Sequence, residues 1–366
     1  MYRCVTATYR RKGEEGSFMT GRERMFAATR GGGVLRCERS QVLRLIALGI
    51  AIVAALAVAL GVTLSAAQAA PFASLKQFRV PTADSEPLSI TNGSDGNRWF
   101  VEGNLDSVLE SPAIGRITSA GDITEFPVNC SFCSLSDIVQ GPEDILYFTS
   151  NEPILGRITT SGEFLAPIPM PETDVLAGDL AVHGNDIWIT DFNNDSLWRY
   201  SVTDDQFTQF PVPEPADVAV DSGGRVWFTA PLAPGIGELN PATGAVTVTP
   251  TQRIPRQLTV ASDGDIWFTA RFTPQGVGEL DPDTNNVREF PLTNVGPEGI
   301  AASSDGSVWF TQTTRGNIAR ITDAGVITEG KVVRNSEPFG ITVEPNNGDP
   351  WYTMLSANKI ATLQLR

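Results

Sequence analysis

The sequence predicts an all-β protein, a seven-bladed β-propeller in which an N-terminal strand completes the last blade. Three observations carry this: a short aromatic run that recurs seven times, turn residues at fixed offsets from it, and a final repeat split between the two ends of the chain. The run reads Trp99-Phe100-Val101, Tyr147-Phe148-Thr149, Trp188-Ile189-Thr190, Trp227-Phe228-Thr229, Trp267-Phe268-Thr269, Trp309-Phe310-Thr311 and Trp351-Tyr352-Thr353, at spacings of 48, 41, 39, 40, 42 and 42 residues. A period of about 40 to 45 residues built on aromatic and β-branched runs marks propeller blades of four strands each.

Each repeat supplies four strand-like segments. In the sixth, Gly299-Ile300-Ala301-Ala302 is the first and Ser307 to Thr311 the second; Asn317 to Thr322 is the third and Val326 to Glu329 the fourth. Between first and second stands Ser304-Asp305-Gly306, a turn in which glycine supplies positive φ. The same signal appears at Ser94-Asp95-Gly96 and Ser262-Asp263-Gly264. Third strands such as Ile114-Gly115-Arg116-Ile117 and Val277-Gly278-Glu279-Leu280 alternate apolar and other residues, as a strand packed on one side does. In the third repeat Trp198 replaces that glycine and is expected to fill space between blades. Fourth strands such as Ile123-Thr124-Glu125-Phe126-Pro127 end in proline, which suits an outer edge. Leu75 to Val80 reads as a fourth strand without its first three, and Ile360 to Leu363 as a third strand without its fourth. Pairing the two closes the ring and leaves no open sheet edge.

The 366 residues divide at 69/70, into a leader and one propeller domain. Residues 1 to 69 hold 10 Lys or Arg against 4 Glu, whereas the remainder holds 17 basic and 38 acidic residues, a net of -21. So acidic a body argues against a nucleic-acid partner. The twenty uncharged residues from Leu45 to Leu64 form an export signal or a membrane anchor. Ala67-Gln68-Ala69 offers a signal-peptidase site, so cleavage and export are expected, with a retained anchor as the alternative. The basic flank directs the body outward in either case. Cys130 and Cys133 in the exported body are expected to form a local structural disulfide.

Function is expected on the face formed by the loops that leave each second strand together with the loops that enter the first strand of the next blade. Candidate ligand-binding groups there are Asn104, Asp191, Asn193, Arg271 and Arg315, and candidate carboxylates are Glu102 and Glu298. Loop acids dominate blades one to four and arginines blades five to seven. Oxygen donors on the acidic side would suit Mg²⁺ or Ca²⁺, and arginines an anionic group. His183, the one histidine, falls in a turn on the opposite face, so a Ser-His-Asp or Cys-His device is excluded. No phosphate-binding glycine loop is present.

The succession Pro-x-Gly-Ile, Asp-Gly-x-x-Trp-Phe-Thr, Ile-Gly-Arg-Ile-Thr and Ile-Thr-Glu-Phe-Pro resembles the virginiamycin B lyase (streptogramin lyase) family over residues 75 to 366. The resemblance implies a seven-bladed propeller. It also implies a lyase that opens a cyclic depsipeptide by elimination across a C–O ester bond, with magnesium, a histidine base and a glutamate. Glu102 falls at the glutamate of the family's Trp-Phe-Thr-Glu motif, with Asn104 two places on. Where the family's Pro-His-Gly-Ile carries its histidine, this chain has Pro297-Glu298-Gly299-Ile300.

The expected function is therefore an exported, monomeric, lyase-like propeller that binds a small molecule, peptide or cell-surface ligand. The alternative is a metal-dependent C–O lyase or hydrolase acting on a depsipeptide, ester or lactone. In it Glu102 and Glu298 would serve as metal ligands or catalytic groups.

Overall fold

A computed structural model describes residues 72, 74–103, 112–130 and 133–365. They belong to one compact unit, Ala69–Arg366. The apolar run 45–64 and Asn104 lie outside the described residues. No helix among the described residues is long and apolar enough to cross a membrane.

Seven four-stranded antiparallel sheets form the blades. Blade one comprises Pro87–Asn92, Arg98–Glu102, Ala113–Ile117 and Ile123–Pro127. Blade seven takes its first three strands from the C-terminal end and its fourth, Ser74–Arg79, from the N-terminal end, with Phe78 opposite Ile360. First strands lie against one another around the ring, and that of blade seven meets that of blade one. Phe78 stacks on Trp351 as Phe126 stacks on Trp99 and Phe290 on Trp267. The N-terminal strand thus supplies the aromatic that other blades take from their own fourth strand.

The repeated aromatics form the core, one seam at a time. Trp99 packs in a cluster with Phe148 of the next blade, Trp188 with Phe228, and Trp227 with Phe268. Trp267 joins Phe310, Trp309 joins Tyr352, and Trp351 joins Phe100 across the closure. Phe100, Phe148, Phe228 and Phe268 each face a glycine on the third strand. A Cβ on Gly115, Gly156, Gly237 or Gly278 would lie inside the facing ring, so absence of a side chain makes room for the aromatic.

The threonine that ends five of these runs has a different duty, invisible in the repeat itself, whereas Thr190 of blade three bonds back to Asp179 of its own blade. Thr269 accepts a hydrogen bond from Gln257 N at 3.2 Å and donates to Glu298 O of the next blade at 2.7 Å. Thr311 and Thr353 repeat the link, the latter donating to Leu88 O at 2.6 Å and so fastening blade seven to blade one. Thr149 and Thr229 do the same toward Gly178 O and Arg256 O. Blade one has Val101 in this slot and makes no such link. The hydroxyls satisfy backbone groups that a bulge frees from the ladder, where an unmade bond would be costly.

Candidate functional site

That bulge also builds the site. In blades one, two, three, six and seven the ladder between first and second strands slips by a residue near the start of the first strand. Residues in the slip line the central cavity in blades one, two, three and seven. They occupy the slot that the sequence writes as Pro-x-Gly-Ile. Glu298 therefore lies within the strand Pro297–Ala302 rather than in a loop before it. The glycine slot holds Ser89, Asp137, Asp179, Asp217, Gln257, Gly299 and Gly340 in blades one to seven.

A cavity of about 820 Å³ opens here, lined by residues of all seven blades. Asp137, Asp179 and Asp217 line one arc of its wall and Arg256 continues it. Asp137 Oδ2 accepts from Leu180 N of the next blade at 2.7 Å, and its Oδ1 accepts from Ser89. Asp217 Oδ2 accepts from Leu258 N at 2.7 Å, and its Oδ1 from Val218 N at 2.8 Å. Asp179 stands in the same slot but Asp217 Oδ1 occupies Val218 N, the donor that would correspond. Its carboxylate makes no hydrogen bond among the described residues.

Electrostatics follow from this crowding. Burial raises the Asp217 carboxyl to about 7 against the hydrogen bonds from Leu258 and Val218. Burial foremost, then the negative charges of Asp217 and Asp137, push Asp179 well above the ordinary carboxylate range. Asp179 is half-buried as a residue, and its remaining surface faces the channel rather than bulk water. Arg256 is held above the usual arginine value by Asp179, Glu298 and Asp217, which outweigh its own burial.

Glu298, fully buried, is clamped by two guanidinium groups. Arg256 Nε donates to Oε1 at 3.1 Å and Arg271 Nη1 to Oε2 at 2.8 Å. The structure thus brings together Glu298 and Arg271 of the sequence-read candidates, with Arg256 between them and the cavity.

The others lie elsewhere. Glu102 is buried in blade one, raised to about 8 by burial and then by Glu125, against a hydrogen bond from Ser85. Its partners do not overlap with those of Glu298. Asp191 Oδ2 accepts from Trp198 Nε1 at 3.1 Å and from Asn194 Nδ2 at 2.9 Å, which anchors the loop that carries Phe192. Asn193, exposed, donates to Asp174 O at 3.4 Å. Arg315 pairs with Glu329 of its own blade at 2.7 Å. Exposed His183 ends the strand Ala177–His183 opposite Asp186. Cys130 and Cys133 are joined in a disulfide.

Sequence reading passed over Asp137 and Asp217, and also the apolar mouth. Leu176, Phe192 and Phe272 line the cavity while remaining 42%, 42% and 57% exposed. A signal was present: Ser136-Asp137-Ile138, Gly178-Asp179-Leu180 and Ala216-Asp217-Val218 place aspartate at one repeat position in three successive blades.

The model of the virginiamycin B lyase family matches residues 67–242 and 175–366. The chain belongs to the virginiamycin B lyase family. A streptogramin B lyase structure is 26% identical with a TM-score of 0.72, covering 80% of this chain and 98% of that one. Selenomethionine-substituted virginiamycin B lyase from Staphylococcus aureus is 24% identical, TM-score 0.71, over 80% and 99%. A catalytically inactive histidine-to-alanine variant of that enzyme with quinupristin is 23% identical, TM-score 0.71, over 80% and 99%. No curated protein matches the chain.

Magnesium, which the virginiamycin B lyase family implies, does not fit the residues present. Both Glu298 oxygens are taken by guanidinium groups, and Glu102 lies in another blade with other partners. Among the described residues no group of three or more His, Cys, Asp or Glu converges as metal ligands would.

Proposed function

We propose that this family member is a non-catalytic binding protein whose ligand enters the central channel from the loop face. The observation that carries the reading is the cavity of about 820 Å³ with an apolar mouth over a charged wall, the usual make-up of a small-molecule site. The slot where the family places a histidine base holds Glu298, and two arginines occupy its oxygens. Each oxygen of that carboxylate thus already accepts from a guanidinium group rather than facing the cavity alone.

Two measurements on the full chain test this. Incubation with quinupristin followed by mass spectrometry is expected to return the intact cyclic compound, and a linearised product would overturn the non-catalytic assignment. Aryl-alkyl probes titrated by ligand-observed NMR are expected to bind saturably, and Phe272→Ser to weaken them severalfold.

Export and a monomeric state complete the reading. The uncharged run 45–64 followed by Ala67-Gln68-Ala69 supports export, as does the disulfide between Cys130 and Cys133, a bond that persists in oxidising compartments. The ring closed by the N-terminal strand leaves only the short outer edges of the fourth strands, several of which end in proline and so resist pairing with a second copy. Mass spectrometry of the exported protein, with an N-terminus at Ala70, checks the first, and light scattering the second.

A further inference from the structure

The channel wall carries an unbalanced charge. Among the described residues that line it, Asp137, Asp179 and Asp217 stand against one basic residue, Arg256, which already donates to Glu298. Asp137 and Asp217 are each tied by backbone N–H groups of the following blade, but Asp179 is not. Asp217 Oδ1 has taken the Val218 N–H that would have satisfied it. The fold therefore holds one carboxylate on the channel wall, between the like charges of Asp137 and Asp217 and without a hydrogen-bond donor of its own among the described residues, the nearby Arg256 being hydrogen-bonded to Glu298. Such a group is costly to ionise, through burial first and the charges of Asp217 and Asp137 second. A ligand carrying its own positive charge removes that cost.

The nature of the cation follows from the surroundings. A metal ion needs several oxygens converging on one point, which no group of acids among the described residues provides. An ammonium on a carbon skeleton needs one or two acceptors and an apolar surface for its body. Leu176 and Phe192 of blade three and Phe272 of blade five supply that surface on the same cavity. The rings of Phe192 and Phe272 also present faces that attract cations.

We propose that the channel is a site for an amphipathic organic amine, its ammonium group at Asp179 between Asp137 and Asp217 and its apolar body against Leu176, Phe192 and Phe272. This rests on the ligand-binding reading above and adds the chemical class of the ligand. Arg256 beside the aspartates disfavours a second cation in the channel and sets the orientation, with the ammonium toward blades two to four.

The test uses three probes of one shape on the full chain: phenylbutylamine, phenylbutanol and phenylvalerate, titrated by ligand-observed NMR. The amine is expected to bind at least about tenfold more tightly than the alcohol, with the carboxylate weakest. Asp179→Asn is expected to bring amine and alcohol within about threefold of each other while alcohol binding stays unchanged. Should that variant fold poorly by circular dichroism, Asp179→Ser and the fall of wild-type amine affinity with added salt read the same interaction. Equal binding of alcohol and amine, or an amine preference that survives loss of Asp179, would overturn the proposal while leaving a ligand-binding channel. Failure of all three probes to bind at millimolar concentration would remove that reading as well.

Discussion

Ile189 and Trp198 face each other across the second and third strands of blade three, where blades one, two, four and five set a phenylalanine against a glycine. The large side chain has changed strands but the seam is still filled: Trp198 packs with Tyr147 of the preceding blade as Phe228 packs with Trp188. Cross-strand neighbours are close enough for their volumes to be fitted together. Trp198→Gly is expected to cost about 4 kcal/mol through the cavity it leaves. Adding Ile189→Phe should restore the arrangement of the other blades and recover part of the loss. A double-mutant cycle by urea denaturation is expected to give a favourable coupling of at least about 1 kcal/mol; additive losses would mean that the two positions are not exchanging one volume.

The threonine hydroxyls join blades by closing two backbone groups at once. Thr269→Val keeps the shape and removes the bonds to Gln257 N and Glu298 O. A loss of about 2 kcal/mol is expected, because both groups stay buried without partners. Denaturation midpoints check this. A change within error would show that water or local rearrangement satisfies them.

Glu298→Gln removes the charge that both Arg256 and Arg271 address. Breaking such a buried pair from one side is costly, but both arginines keep contact with solvent, which screens the interaction. Circular dichroism of the variant is expected to match the wild type, with stability lower by about 2 kcal/mol in chemical denaturation.

Glu102 links stability to pH with a definite sign. Its folded carboxyl is raised from 4.5 to about 8, by burial first and Glu125 second. The folded state therefore keeps a proton that the unfolded chain releases, so the contribution is complete below about 4.5 and is lost as pH rises toward 8. Asp217, raised to about 7, acts in the same direction over a narrower range. Thermal midpoints of the wild type are expected to fall between pH 5 and 8, and those of Glu102→Gln to fall less. Parallel curves for the two proteins would place the pH dependence elsewhere.

The sequence by itself determined the propeller, its seven blades and its closure by the N-terminal strand. These rest on interactions inside one repeat or between neighbouring strands, and a period near 40 residues with turn glycines records them directly. The exchange between Ile189 and Trp198 was half legible: Trp198 stood out as a departure, but its compensation by Ile189 required the register of the facing strands.

Only the tertiary structure decided the site. Glu298, Arg271, Asp191 and Glu102 look alike in sequence as polar residues near the ends of repeated strands. In the ring Glu298 is clamped by Arg256 and by Arg271 itself, Asp191 holds a loop, and Glu102 is shut inside blade one. What a carboxylate does depends on which charges stand within a few ångströms of it, and here those charges come from residues about forty positions away, brought near by the ring. Asp179 is the clearest case. Its slot matches those of Asp137 and Asp217, and what sets it apart is that Asp217 has already taken the Val218 N–H it would need.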